Sequence, residues 1–153
     1  LREVDSIDSY VIVKKSKIDD LKIMDKNFFL YFETMDMCFN FKKKEMKMFI
    51  VDNIKFEHLG GASHEKKFNY QAALSRNWHY NWSKFYFFKK NFSYLYAFKK
   101  SLPILFKLVA KYILNLFLNN KENKNLVKAE LNGIISSMIL KKSSYRPFLK
   151  KVN

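Results

Sequence analysis

Arginine is scarce in this chain, although its formal net charge is +15. Among the 153 residues only Arg2, Arg76 and Arg146 are arginine, and lysine supplies the rest of the positive charge. Arginine is the side chain that makes bidentate contacts with phosphates and with guanine bases. Its scarcity therefore disfavours a dedicated reader of nucleic-acid sequence.

Cysteine is nearly absent as well. Cys38 is the single cysteine, which excludes an intramolecular disulfide and fits a reducing compartment. Cys38 follows a run of apolar residues, so burial as a small apolar side chain is favoured over a role as a reactive thiol.

Acidic residues are missing mainly from the second part of the chain. Residues 1–62 carry 11 acidic and 11 basic side chains, whereas residues 63–153 carry 3 acidic and 18 basic ones. The whole excess of positive charge therefore belongs to the second part. This distribution favours diffuse attraction to an anionic surface such as a membrane.

Long apolar runs are also missing. The strongest candidate, residues 102–118, is interrupted by Lys107, Lys111 and Asn115 at a spacing of four. A spanning helix needs about 20 apolar residues, and each central lysine costs roughly 2.5–3.5 kcal/mol on insertion. The pattern instead predicts a helix in the membrane interface with its lysines on the lipid headgroups. A helix buried between two others, or in a dimer interface, stays an open alternative.

Apolar patterning divides the remaining chain into an α/β part and a helical part. In residues 1–62, a strand is predicted at 7–13, an extended segment or strand end at 28–32, a helix at 34–44, and one strand or two short ones at 47–57. The pair Gly60-Gly61 ends this part. Residues 63–153 contain three helical runs, over 65–90, 92–118 and 122–140, with a start or kink expected at Pro103. Gly133 in the third run predicts close helix packing.

The most distinctive stretch is residues 25–38, where an aromatic run ends abruptly in Glu33 and Asp36 and a helical pattern follows. Carboxylates after a buried apolar run often lie at the mouth of a pocket, because burying them unpaired is too costly. Alternatively, the two acids open an ordinary surface helix, whose N-terminus favours negative charge.

Residues 25–38 resemble the D-E-x-F-F-L-Y-F-E-D-x-D-L-C segment of family 2 glycosyltransferases, inverting GT-A enzymes that build bacterial surface polysaccharides. The rhamnosyltransferase-like branch is the nearest. Other stretches resemble this family in the same order. Residues 4–15 are similar to V-D-x-x-x-G-A-x-x-L-I-R-R, residues 56–63 to H-x-G-G-x-S, residues 76–90 to the helix that follows, and residues 144–147 to the C-terminal tail.

This resemblance implies an α/β fold class, with residues 1–62 as the acceptor-side half of a GT-A catalytic domain and residues 63–153 as a basic amphipathic tail of about three helices. The chain begins on Leu1 and shows no Asp-x-Asp in a matching context. We therefore expect a fragment without the nucleotide-binding half, inactive by itself. The implied reaction moves a sugar from a nucleotide-sugar donor to a lipid-linked or polysaccharide acceptor.

The resemblance also implies roles for the acids of the motif. An inverting transfer needs a carboxylate to take the proton of the acceptor hydroxyl. The family places that base in the second position of its E-D pair, which is Thr34 here. Because a threonine cannot act as a base near neutral pH, we expect either Glu33 or Asp36 to serve, with Glu33 preferred, or the site to have lost activity.

Further binding residues follow from matched positions. His58, just before the two glycines, is implied as a ligand of a divalent cation, Mg²⁺ or Mn²⁺, whose other ligands lie in the missing half. A hydrogen-bonded structural histidine is the alternative for this position. Arg76, Trp82 and Lys84 match positions facing the acceptor or its lipid-linked phosphate. For Trp82 core packing, and for Lys84 simple solvation, remain alternatives.

Together these features predict a cytoplasmic enzyme, peripheral on the inner face of the cell membrane, that acts in cell-surface glycan synthesis. A hypothesis from another class is a non-catalytic basic helical module that binds an anionic membrane or nucleic acid. Thr34 and the missing metal motif favour this alternative, whereas the ordered family-like segments disfavour it. Homo-oligomerisation stays open.

Overall fold

A computed structural model describes residues 1–7, 11–14, 16, 24–57 and 65–146. Within them the elements run in the order β1 (Arg2–Val4), α1 (Glu33–Lys43), β2 (Met48–Ile50), a 3₁₀ turn (Lys66–Phe68), α2 (Asn69–Asn91), α3 (Tyr94–Phe117) and α4 (Lys121–Met138). The two strands form one antiparallel pair, in which Glu3 lies opposite Phe49.

Helix α1 and the strand pair share a small core. Met37, Cys38 and Phe41 of α1 are buried together with Met48 of β2. The partly buried Ile7, Val11, Val13 and other apolar residues pack against this cluster. Cys38 is 2% exposed and forms no disulfide, so its interpretation as a small buried residue is confirmed.

Helices α2, α3 and α4 pack against one another as a three-helix unit, with α2 in contact with both of the others. One buried cluster joins Trp78 and Trp82 of α2 to Ala129 of α4, and a second joins Phe85, Ala97 and Ile134 from all three helices. These residues recur at helical spacing, as expected for the apolar faces of a bundle.

Gly133 lies where α4 passes close to the backbone of α2. A Cβ atom at this position would lie 2.2 Å from the carbonyl oxygen of Trp78 and 3.0 Å from its carbonyl carbon. No real side chain fits at that distance, so glycine is required for this packing. The close helix packing predicted from Gly133 is confirmed.

Side-chain caps fix where α3 and α4 begin. The Ser93 hydroxyl accepts the backbone N–H of Tyr96 at 3.1 Å, and the Asn120 side chain accepts that of Asn123 at 3.1 Å. Helix α3 therefore starts well before Pro103 and continues through it, so a start at Pro103 is not found. The Pro103 ring is exposed. Water can therefore bind the helix carbonyl that would otherwise accept an N–H from this position.

The predicted fold class, an α/β GT-A half followed by helices, is wrong. The described residues form four α-helices and one two-stranded sheet with three residues in each strand. Of the run 47–57 only Met48–Ile50 is a strand, and residues 29–32 form bends rather than a strand. Short apolar runs do not distinguish a strand from an irregular segment buried against a helix, and here α1 and α2 provide the burial.

The three predicted helical runs correspond to α2, α3 and α4. Within the described ranges, none of these helices combines the length and the apolar character needed to cross a lipid bilayer.

Candidate functional site

The segment 25–32 lies across one face of α2. The buried Phe28 ring meets Tyr86 edge-on with 5.0 Å between centroids, and the Ser83 hydroxyl donates to the backbone carbonyl of Leu30 at 2.8 Å. Further along, the rings of Phe32 and Phe87 are 5.6 Å apart. Since positions 83, 86 and 87 lie on one side of a helix, α2 positions the whole segment.

A partly buried ionic network fixes both ends of this segment. The Lys90 ammonium of α2 donates to Asp36 at 2.6 Å and forms an ion pair with Asp25 at 2.9 Å. Asp36 is 0% exposed and also accepts from Asn91 at 2.8 Å. The Tyr86 hydroxyl donates to Asp25 at 2.9 Å. One lysine therefore ties the start of the segment and the first turn of α1 to α2.

The pKa shifts in this network follow from its contacts. Burial by itself would raise the pKa of Asp25, but hydrogen bonds from the Asn27 backbone, Lys90 and Tyr86 hold that pKa below its ordinary value. Burial would likewise lower the pKa of Lys90, but hydrogen bonds to Asp36 and Asp25 raise it above the ordinary value. Both partners therefore stay charged near neutral pH.

Between the two ends, the backbone turns through an unusual conformation. Tyr31 and Phe32 both have φ of 66°, in the left-handed region that bulky residues rarely adopt. Each such residue costs on the order of 1–3 kcal/mol and persists where its surroundings enforce it. We call this pair the aromatic turn. The Tyr80 ring of α2 contacts both residues, with 5.6 Å between centroids in each case.

Glu33 follows the aromatic turn directly and is the first residue of α1. Its Oε2 atom is buried and has no hydrogen-bond partner among the described residues. Asp25 and Asp36 are already bound by Lys90, so Glu33 is the acid of the motif that retains a vacant acceptor atom.

Two of the predicted acceptor-binding residues share the face of α2 that carries Tyr80, which contacts the aromatic turn just before Glu33. Lys84 lies one turn after Tyr80, with its ammonium 5.8 Å from the centre of that ring. The exposed Arg76 lies one turn before Tyr80, on the same side of the helix. We use the term Glu33 face for Glu33, the aromatic turn, Tyr80 and Lys84.

Two other predicted site residues lie away from this face. Asp36 is fully buried, and its carboxylate is occupied by Lys90 and Asn91, so it holds the segment in place. Trp82 is 3% exposed, stacks on Tyr86, and donates its indole N–H to the carbonyl of Lys141 at 2.9 Å. Its described contacts are those of a core residue.

His58, the predicted metal ligand, lies outside the described residues. Within the part of the chain that the structure covers, no three His, Cys, Asp or Glu side chains lie together as a group able to hold a metal ion. Asp25 and Asp36 are paired with Lys90. The described residues therefore do not form a metal site by themselves.

Sequence reasoning missed the central role of Lys90. Its two partners are 54 and 65 positions away in the sequence, so no local pattern connects them. A weak signal was present, because Tyr86 and Lys90 are four residues apart and so share a face of α2. Their contact with two acids of the motif became evident only from the fold.

Comparison with known proteins gives no relative from which a role could be transferred. No protein-family model, no curated protein and no solved structure matches this chain.

Proposed function

We propose that this chain provides the acceptor side of an inverting glycosyl transfer, from a nucleotide sugar to a lipid-linked or polysaccharide acceptor. The observation that carries the proposal is the vacant, buried carboxylate oxygen of Glu33 beside a strained aromatic turn. A buried acceptor atom without a donor costs about 1–3 kcal/mol, and such costs are concentrated at functional sites. The ordered segments that resemble family 2 glycosyltransferases support the same assignment.

In this reaction Glu33 acts as the general base. The acceptor oxygen forms a bond to the anomeric carbon of the donor sugar while the bond from that carbon to the diphosphate breaks. The diphosphate leaves with the electron pair, and the hydroxyl proton passes to the Glu33 carboxylate. Tyr80 provides an aromatic surface for the acceptor, and Lys84 and Arg76 provide positive charge beside it. The divalent cation implied by the resemblance would offset charge on the diphosphate, with ligands from outside the described residues.

We expect Glu33→Gln to lower kcat for sugar transfer by about 10²- to 10⁴-fold, the usual contribution of a general base. The amide has nearly the same shape as the carboxylate but cannot accept the proton. The measurement is transfer from a panel of nucleotide sugars by the longest reading frame that contains this chain, with Mg²⁺ or Mn²⁺ present.

Glu45→Gln is the matched control, because it removes the same charge at an exposed position close in the sequence. Its activity should equal that of the parent protein. Equal activity of Glu33→Gln and the parent would exclude Glu33 as the base. Absence of transfer by the parent protein across all donors and acceptors would favour the non-catalytic binding module.

A second candidate function, peripheral binding to an anionic membrane, is favoured by the outer face of α3. Large apolar side chains on one side of the helix remain exposed: Leu95, Phe98, Phe106, Val109, Ile113, Leu116 and Phe117. Full burial of one such side chain contributes about 1.5–3 kcal/mol. Several together would anchor the chain in the membrane interface, assisted by the basic charge of residues 63–153.

This orientation differs from the one predicted for α3. Asn115 is buried, and Lys107 and Lys111 lie close enough to Glu130 of α4 to oppose the rise in its pKa that burial causes. The polar stripe therefore borders α4, and the apolar face is the one available to lipid. We place the chain on the inner face of the cell membrane as part of this proposal.

The double variant Phe106→Ser/Phe117→Ser should weaken binding to vesicles in which about one third of the lipid is phosphatidylglycerol. The expected loss of affinity is about tenfold or more. Both side chains are largely exposed, at 73% and 83%, so folding should be unaffected. Leu1→Ser/Ile12→Ser, at two other exposed apolar positions, is the control in the same sedimentation assay. Equal binding by both double variants would argue against insertion of this face.

A further inference from the structure

A cleft lies between the segment 25–32 and residues 142–146, which we call the C-terminal tail. It has no part in the proposed glycosyl transfer. It has a volume of about 420 Å³ and is lined by Lys26, Asn27, Phe28, Phe29, Lys142, Ser143, Ser144 and Arg146. Three of these side chains are cationic, and no carboxylate belongs to the lining. Among the described residues, Lys26, Lys142 and Arg146 form no ion pair with an acid.

The guanidinium of Arg146 is held in a fixed orientation. It lies 3.3 Å above the centre of the Phe29 ring, and Nη1 donates to the carbonyls of Tyr145 at 2.8 Å and Ser143 at 3.3 Å. All of its described hydrogen bonds use Nη1. The Nη2 and Nε donors thus remain available for a ligand, in the planar arrangement that suits a phosphate.

His79 supports this arrangement from within the core. It is 0% exposed, its Nδ1 lies 2.9 Å from the Ser143 hydroxyl, and its Nε2 lies 2.9 Å from the Tyr145 carbonyl. The imidazole ring also packs against Phe29, with 4.8 Å between centroids. Burial lowers the pKa of His79, so the ring is neutral near neutral pH and holds the tail against α2. The positions of Arg146 and Phe29 are therefore set before a ligand arrives.

We propose that this cleft binds a phosphate or diphosphate group. A single carboxylate would leave most of the positive charge of three unpaired cations uncompensated, whereas a multiply charged anion matches it. The oriented guanidinium supplies bidentate donors, and the hydroxyl of Ser144 lines the same cleft. The volume accommodates a diphosphate. This assignment does not depend on the glycosyltransferase proposal, because it uses different residues.

The test is isothermal titration of the 153-residue chain with inorganic pyrophosphate, without metal ions, at two salt concentrations. A second arm measures binding to phosphatidylcholine vesicles containing a minor fraction of phosphatidic acid, whose headgroup is a phosphate monoester. Arg146→Gln should weaken binding by about tenfold or more, which corresponds to about 1.4 kcal/mol. The affinity of Arg146→Lys should lie between those of the parent and of Arg146→Gln, because this variant keeps the charge but loses the bidentate contact.

Lys55→Gln is the control for general surface charge, because Lys55 is exposed and lies outside the basic residues 63–153, and its affinity should stay within twofold of the parent. Circular dichroism establishes that each variant is folded, and Lys26→Gln/Lys142→Gln tests the cleft without altering the Arg146 contacts. Weaker binding of pyrophosphate by Arg146→Gln identifies a soluble ligand. Weaker binding in the vesicle arm alone identifies a lipid headgroup. Binding that is absent in both arms, or that Lys55→Gln reduces as much as Arg146→Gln does, overturns the proposal.

Discussion

Replacing Lys90 by methionine is expected to lower the free energy of unfolding by about 3 kcal/mol, near the lower end of the range for breaking a buried ion pair. Methionine preserves most of the side-chain volume but removes the charge, which leaves the fully buried Asp36 without its closest donor. Asp25 loses its ion pair in the same step. Urea denaturation followed by circular dichroism measures the effect as a lower midpoint at unchanged slope.

Lys99→Met is the control, since Lys99 is exposed on α3, and its midpoint should change by less than the equivalent of about 0.5 kcal/mol. The pH dependence gives an independent check. The pKa of Asp25 in the folded protein is below its ordinary value, so its contribution to stability is complete above that value and is lost as the pH falls below it. Lys90→Met should reduce this acid sensitivity. Similar midpoints for both lysine variants would contradict the network.

Gly133→Ala is expected to destabilise the three-helix unit by about 3 kcal/mol or more, at or beyond the upper end of ordinary overpacking. The added methyl would meet the backbone carbonyl of Trp78 at 2.2 Å, and backbone atoms cannot move aside as a flexible side chain can. Alanine is the better helix former by about 1 kcal/mol, so the sign of the result distinguishes steric conflict from helix propensity. Thermal and urea unfolding provide the measurement.

Lys128→Ala offers the matched control, because it introduces alanine at an exposed position in the same helix. This variant should be neutral or slightly more stable than the parent. If Gly133→Ala were also neutral or stabilising, the close approach of α2 and α4 would have to be abandoned.

The spacing of apolar residues was sufficient to predict the helices but not to distinguish strands from irregular segments that pack against a helix. The runs that became α2, α3 and α4 are long and amphipathic, and their signal is strong. The apolar run 28–32 has the composition of a strand, yet its aromatic residues pack singly against α2 and two of them adopt positive φ. That outcome depends on a partner surface more than 40 residues away in the sequence.

The candidate site, too, could be predicted only in part from the sequence. Glu33 was singled out by local sequence, and the structure adds the observation that its Oε2 atom is unpaired. Trp82 was grouped with Lys84 from a matched segment, but two residues along a helix point to different sides. Lys84 accordingly lies beside Tyr80, whereas Trp82 is in the core. Helical geometry alone could have placed these two residues on different sides of α2. Which of the two sides is buried follows only from the positions of α4 and the C-terminal tail.

The attachment of segment 25–32 to α2 has a consequence for how this chain can diverge. Phe28 with Tyr86, and both acids with Lys90, form units whose members lie far apart in the sequence. A substitution in one member is tolerated when the other changes with it, so these positions should covary during evolution. Among the described residues the exposed Arg76 shows no such contact, so under the proposed function it is free to change with the acceptor. In that case specificity can diverge at one end of α2 while the architecture is conserved at the other.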